Sequence, residues 1–282
     1  MSKEQYKYTW EEAIEVLRGD PNHQELIYNS YLTKDLVENC QRFAKGDEFA
    51  EVLKLLGQFA PEKKVLLDMP GGNGIATYAF AKAGFQVTAV DPNPSEFVGR
   101  GAIRHVMQEC SLQANIVDAY GEKLPFQDDI FDIVYVRQGL HHAGNLPAML
   151  QEISRVLRPG GILLACREHV VDDYQNSLER FLASQPDHQL YGGENAFTLG
   201  DYRQAISASK LKVLLELEPF DSPINMYPNT PETLCEKIQQ TVPGRILGIL
   251  LPKGLVSDLG MWMLKRRKMP GRLYSFVAQK NQ

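Results

Sequence analysis

The chain is poor in cysteine and shows no cysteine pattern. Cys40, Cys110, Cys166 and Cys235 stand far apart and form no CxxC pair. That argues against a disulfide framework or a zinc site, and it fits a reducing cytosol. Long apolar runs are missing too, with none approaching the roughly 18 residues of a membrane span. The opening stretch "MSKEQYKYTWEEAIEV" is polar and lacks the apolar core of a signal peptide. Excess positive charge is also absent. A formal net charge of −5 argues against a general nucleic-acid binder, which needs a basic surface. These absences predict a soluble cytoplasmic protein with no nucleic-acid partner and no membrane span.

What is present is enough apolar material for a full core, 44% of 282 residues. The first sixty residues read as helices. Thr9 and Glu12 make a capping box before "EEAIEVLRG", and Thr33 is placed to cap "KDLVENCQRFAKG". "DEFAEVLKLLG" puts Phe49, Val52, Leu53 and Leu56 on one face and is expected to end at Gly57.

From Val65 the pattern alternates between strand and helix. "KVLLDM", "QVTAVD", "ANIVD", "FDIVYV" and "ILLAC" read as strands, with the helices "GIATYAFAKAG" and "LPAMLQEISRVLRPGG" among the connections. "LKVLLELEP" and "RLYSFVAQ" complete seven strands. The spacing predicts an α/β fold, a Rossmann-like, doubly wound and mostly parallel sheet. Three parts are expected: a helical cap over 1–60, a core over 61–221 and 272–282, and a helical insertion or lid over 222–271.

In such a sheet, ligands bind where the strands end, near the switch in strand order. Asp68 ends the first strand, ahead of Pro70, Gly71, Gly72, Asn73 and Gly74, and Asp91 ends the second. Glycines there let backbone approach a ligand and free N–H groups at a helix start. A dinucleotide fingerprint needs a third glycine where Thr77 stands, and a Walker loop needs Gly-Lys-Ser/Thr, which Asn73-Gly74-Ile75 is not. A ligand with a ribose and no phosphate fits better, which points to S-adenosylmethionine (SAM).

Four blocks carry a resemblance: "LLDMPGGNG", "VTAVDP", "GEKLPFQDDIFDIVYVRQGLHH" and "LQEISRVLRPGGILLACRE". In this order and spacing they resemble the class I SAM-dependent methyltransferases, of the methyltransferase type 11-like group acting on small molecules. The resemblance covers roughly Val65 to Glu168. It implies that Asp68 orients the methionine amino group, that Gly71, Gly72 and Gly74 line the cofactor, and that Asp91 holds the ribose hydroxyls. It places Pro92, Gly121 and Glu122 at the adenine and Arg137 and Gln138 at the methionine moiety. SAM is the implied cofactor and S-adenosylhomocysteine (SAH) the product. Two departures stand out: Pro70 replaces the first motif glycine, and Tyr120 stands where an acid often precedes Gly121, with Asp118 two residues earlier.

His141, His142, Arg167, Glu168 and His169 follow strands four and five and face the expected methyl donor. His169, His142 and Glu168 are the candidates for proton transfer. His141, Arg167, Tyr191, Glu194 and Asn195 are the candidates for contact with a small-molecule methyl acceptor. No metal site is read from the sequence. The stretch "RILGILLPKGLV" with Met261, Trp262 and Met263 reads as the buried side of a lid, a homodimer contact or an apolar surface, and Lys265 to Lys268 as a solvated helix face. The expected activity is methyl transfer to an O, N or C nucleophile. The alternatives are a non-catalytic SAM-binding partner protein and a nicotinamide-dependent oxidoreductase.

Overall fold

The computed structural model describes residues 6–241, 252–267 and 269–281. Its frame is a sheet in the order β3-β2-β1-β4-β5-β8-β7, with a short β6 beside β5. The strands are β1 Val65–Asp68, β2 Gln86–Val90, β3 Asn115–Val117, β4 Phe131–Arg137, β5 Leu157–Val171, β6 Phe197–Thr198, β7 Leu211–Leu217 and β8 Arg272–Lys280. Pairing is parallel from β3 through β5, and only β8 runs antiparallel to its neighbours β5 and β7. The sheet is therefore the mostly parallel one the sequence predicts, with one addition. β6 is two residues long, pairing Phe197 and Thr198 with Val170 and Val171, and is too short to show a period.

The chain leaves β1 toward β2 and β3 and later returns to β4 on the other side of β1. That reversal opens a crevice at the ends of β1 and β4. β5 begins before the predicted Ile162, because a register shift between Phe131 and Ile133 absorbs Pro159, Gly160 and Gly161. It also continues past Cys166, where a bulge against β8 between Ala165 and Glu168 coincides with left-handed Arg167 (φ 62°). Bulges re-aim side chains. This one carries Glu168 and His169 to the crevice end of the sheet.

Helices cover both faces. On one side α3 Leu36–Lys45, α4 Asp47–Phe59 and α5 Ile75–Lys82 bury Phe43, Phe49 and Phe80 against Leu66 and Tyr135. On the other, α7 Leu146–Val156 and α10 Leu199–Ala208 bury Leu150, Ile153 and Tyr202 against Leu67 and Phe276. Two local expectations are corrected. α3 is capped by Asp35, whose carboxylate accepts from Glu38 N, while Thr33 Oγ1 donates to Asn39 Oδ1 at 2.7 Å. α4 runs through Gly57 to Phe59, because Ala60 N closes it by donating to Leu56 O.

α1 Trp10–Gly19 starts at the predicted capping box and packs, with α2 Gln24–Asn29, over the crevice against α9 Pro186–Tyr191. α6 Arg100–Glu109 and α8 Ser177–Ala183 flank the core. Between β7 and β8 lie α11 Pro223–Met226, α12 Pro231–Gln240 and α13 Lys253–Arg266. α11 packs on α4, β5 and β8, and α12 packs on α13. Residues 242–251 and Lys268 lie outside the described residues, and with them most of the apolar stretch and one end of the basic run. Trp262 and Met263 stand exposed on α13. No helix among the described residues is long and apolar enough to cross a membrane.

Candidate active site

The glycine corner folds tightly onto β2. Gly71 N donates to Val90 O and Gly74 N to Gly71 O. Gly74 is left-handed (φ 89°), and a Cβ there would stand 3.3 Å from Ile103 Cα, so only glycine suits the position. Asn73 Nδ2 donates to Tyr31 O at 2.6 Å and ties the corner to the N-terminal helices. The Met69-Pro70 bond is cis.

Both strand-end carboxylates are buried and engaged. Asp91 accepts from Gly72 N and from Asn93 N, each at 2.8 Å on a different oxygen. Asp68 accepts from Thr77 Oγ1 at 2.6 Å. Thr77 is thus a working group where a dinucleotide fingerprint has glycine. Burial pushes Asp68 up to about 7, with the Asp91 charge adding to it and the Thr77 hydroxyl opposing it. Burial likewise raises Asp91 to about 6, against the amides of Asn93 and Gly72. Each carboxylate oxygen keeps lone pairs beyond the bonds it already accepts. Asp68, Asp91, Gly71, Gly72, Pro92, Arg137 and Gln138 all border one cavity of 590 Å³. That is within the usual range for a small-molecule site, ~300–1,000 Å³.

An adjoining cavity of 210 Å³ is lined by Met69, Pro92, Tyr120, Gly121, Glu122 and Met149, among others. A Cβ on Gly121 would lie 2.8 Å from Met69 Cε and 2.9 Å from Met149 Cε, so glycine keeps this slot open. Glu122 Oε1 accepts from Gly144 N at 2.8 Å, joining the slot to the start of α7. Asp118 is exposed and paired with Arg100 at 2.6 Å, and it does not line the slot.

Arg137 is held from below. Its Nε and Nη2 donate to the two oxygens of Glu48 on α4, at 2.7 and 3.0 Å, and Nη1 donates to Gln138 Oε1. Burial opposes the guanidinium charge, but the Glu48 carboxylate beside it keeps Arg137 protonated. Nothing in the sequence around Glu48 marks it as the partner of a residue 89 positions away.

Next to the 590 Å³ cavity, a 260 Å³ cavity has apolar walls from α1, α2 and the turn after α2, including Trp10, Ile14, Leu17, Ile27 and Leu32. Its polar end carries Gln138, His141, His142, His169, Asp187 and Glu194. Glu168 stands behind that end and is fully buried. It accepts from Gly139 N, from His141 N and from His141 Nδ1, at 3.1, 3.0 and 2.8 Å. Burial raises Glu168 while these amides pull it back, and burial keeps His141 neutral, well below the usual imidazole range. The placement of Glu168 is that of a group orienting His141, with no face on the cavity.

His169 Nδ1 donates to Gly271 O at 3.1 Å, and burial pulls this imidazole down to about 3. His142 Nδ1 donates to Gly193 O at 3.1 Å, and burial lowers it as well. Burial, with Asp187 adding to it, pushes Glu194 up to about 8. Arg167 turns the other way: Nη1 donates to Ile224 O at 2.7 Å and Tyr227 O at 3.0 Å, anchoring α11. Asn195 lines an outer cavity with Tyr6 and Lys7, and Tyr191 borders that cavity as well as the 260 Å³ and 590 Å³ ones. Asp187, Trp10 and Gln185 escape a reading of the sequence, because they reach the crevice only through the packing of α1 on α9.

Residues 67–165 match the family described as a methyltransferase domain. The demethylmenaquinone methyltransferase of Mycobacterium tuberculosis (strain ATCC 25618 / H37Rv) is 36% identical over 151 residues, 53% of this chain and 60% of that protein. The match thus spans less than two thirds of that relative's length. A geranyl diphosphate methyltransferase solved in complex with SAM shares the fold at a TM-score of 0.57 and 15% identity, covering 94% of each chain. The [4+2]-cyclase SpnF does so at a TM-score of 0.55 and 18% identity, over 82% of this chain and 80% of that one. At such identities the solved structures speak to the fold alone. The matched segment runs from β1 into β5, and over it the chain is similar to the class I methyltransferases.

Proposed function

We propose that this protein transfers a methyl group from SAM to an O, N or C nucleophile of a small molecule with an apolar body and a polar head. The observation carrying this reading is a shared wall. Trp10, Ser30, Leu32, Gln138, His142 and Tyr191 border both the 590 Å³ and the 260 Å³ cavities, so a molecule in one abuts a molecule in the other.

SAM, when bound, supplies a methyl already activated on a sulfonium and leaves as SAH. The protein's task is to hold the two molecules in line and keep water out. Asp91 turns its remaining lone pairs to the ribose hydroxyls, and Asp68 takes the amino group. The Gly71–Asn73 backbone would lie along the cofactor, while Gly74, expected from the sequence to line it, does not border the cavity and closes the turn behind it. Pro92, Gly121 and Glu122 frame the adenine, and Arg137 and Gln138 the methionine end. Helices α1 and α2 act as a cap over the acceptor cavity, while α3 and α4 pack on the sheet. His142, neutral and on the shared wall, accepts a proton where the nucleophile arrives protonated. The name of the mycobacterial relative supports an acceptor of the quinone kind.

The test is SAH release, read by mass spectrometry, from protein given SAM and a panel of quinols, phenols, sugars and amines. The reading expects release with an apolar-bodied acceptor. SAM binding with no release on any acceptor favours a non-catalytic binding role.

A further inference from the structure

We propose that His141, His169 and Glu194 form a binding site for a divalent transition-metal cation of the zinc type, opening into the acceptor cavity. One ligand atom from each lies within 4.8 Å of the others. His141 Nε2 stands 3.7 Å from Glu194 Oε2, and His142 Nε2 stands 3.9 Å from Glu194 Oε1. These gaps are too long for hydrogen bonds. The first of them, between two of the proposed ligands, approaches the ~3.4 Å that separates donors arranged around a cation at ~2.0–2.1 Å from each.

The imidazoles are set up as ligands. Each already spends Nδ1 on an acceptor, His141 on the Glu168 carboxylate and His169 on the Gly271 carbonyl, which leaves both Nε2 lone pairs free. A carboxylate or carbonyl behind a histidine is the usual outer support of a metal-bound imidazole, fixing its tautomer and orientation. It also gives buried Glu168 a purpose.

The charge balance points the same way. The described residues lining this cavity include the carboxylates Asp187 and Glu194 and three histidines, but no lysine or arginine. His141 sits on the turn after β4 and His169 on β5. Glu194 follows Gly192 and Gly193 in the loop after α9, which allows the small contraction that ligation needs. Two nitrogens and one carboxylate are a borderline donor set that suits zinc, cobalt or iron better than magnesium or calcium. Three protein ligands leave a coordination position facing the cavity. On the methyl-transfer reading, on which this last point rests, that position receives an oxygen of the acceptor's polar head, and His142 remains the free imidazole.

The test is cobalt(II) titration of tag-free, chelator-treated protein, followed by its visible absorption, with SAH calorimetry on the same samples. The site predicts one equivalent of cobalt with tetrahedral-type bands. Affinity should fall more than ~100-fold in His169→Ala and Glu194→Gln, beyond the ~10–100-fold typical of outer-shell changes. SAH binding by His169→Ala shows that the variant is folded. No bands in wild type, or uptake by both variants equal to that of wild type, overturns the site, and a cavity that merely hosts an organic cation gives the first of these. Cobalt binding without SAH binding supports the site and counts against the methyltransferase reading. SAH binding without cobalt binding does the reverse.

Discussion

Glu48 and Arg137 meet as a two-pronged ion pair beside the 590 Å³ cavity, at 2.7 and 3.0 Å, with Glu48 1% exposed. The pair fixes the end of β4 from a helix that the sequence shows only as part of an amphipathic prelude. Tyr31 and Phe43 flank the guanidinium with ring centroids 5.7 and 5.4 Å away, so water offers little replacement for a lost partner.

Removing one member of such a pair leaves an uncompensated buried charge. Glu48→Gln should therefore lower the unfolding free energy by about 3–5 kcal/mol, read from urea denaturation. Unchanged stability would mean that Arg137 finds another anchor.

Asp68 gives a pH signature. In the folded protein it holds its proton up to about pH 7. An unfolded chain releases that proton near pH ~4. The folded state therefore binds more protons in between, and this group's contribution to stability falls as pH rises from ~4 to ~7. Asp91, raised to about 6, acts with the same sign over a narrower window. The groups acting on Asp68 are the Thr77 hydroxyl and backbone amide, the Asp91 carboxylate and the Arg137 guanidinium. An ammonium ligand needs the carboxylate ionised, so SAH should bind more tightly at pH 8 than at pH 6. Asp68→Asn should flatten most of both trends, measured by denaturation and calorimetry across pH.

Gly74→Ala tests the corner. The left-handed backbone and the 3.3 Å approach to Ile103 Cα leave a methyl no relaxed position. A loss of ~1–3 kcal/mol in stability is expected. SAH affinity should fall as well, because the Gly72 and Gly74 amides move together. A neutral substitution would show that the turn relaxes at no cost.

Much of the frame was legible because buried parallel strands write themselves as continuous apolar runs. Asp68 and Asp91 stood out as polar residues ending such runs. Thr77 was visible only as a broken glycine spacing, and its bond to Asp68 explains why a threonine stands there. Other features left no local signal. Glu48 is one of two acids in the first turn of α4, beside Asp47. β6 is two residues long. The His141–Glu168 and His141–Glu194 contacts join segments 27 and 53 positions apart, brought together by the β5 bulge and the loop after α9. Asp35 displaces Thr33 as a cap because Thr33 turns to Asn39. Long-range pairing decided each of these, and a linear pattern does not encode it.

The central claim is that the β1–β4 crevice holds SAM through Asp91. The most direct measurement is calorimetric titration of folded, ligand-free protein with SAH, for wild type, Asp91→Ala and Asp91→Asn. Hydrogen bonds to a charged group contribute about 1.5–3 kcal/mol each, so both variants should bind ~10–100-fold more weakly. No SAH binding by wild type, or equal affinity in all three proteins, would contradict the account.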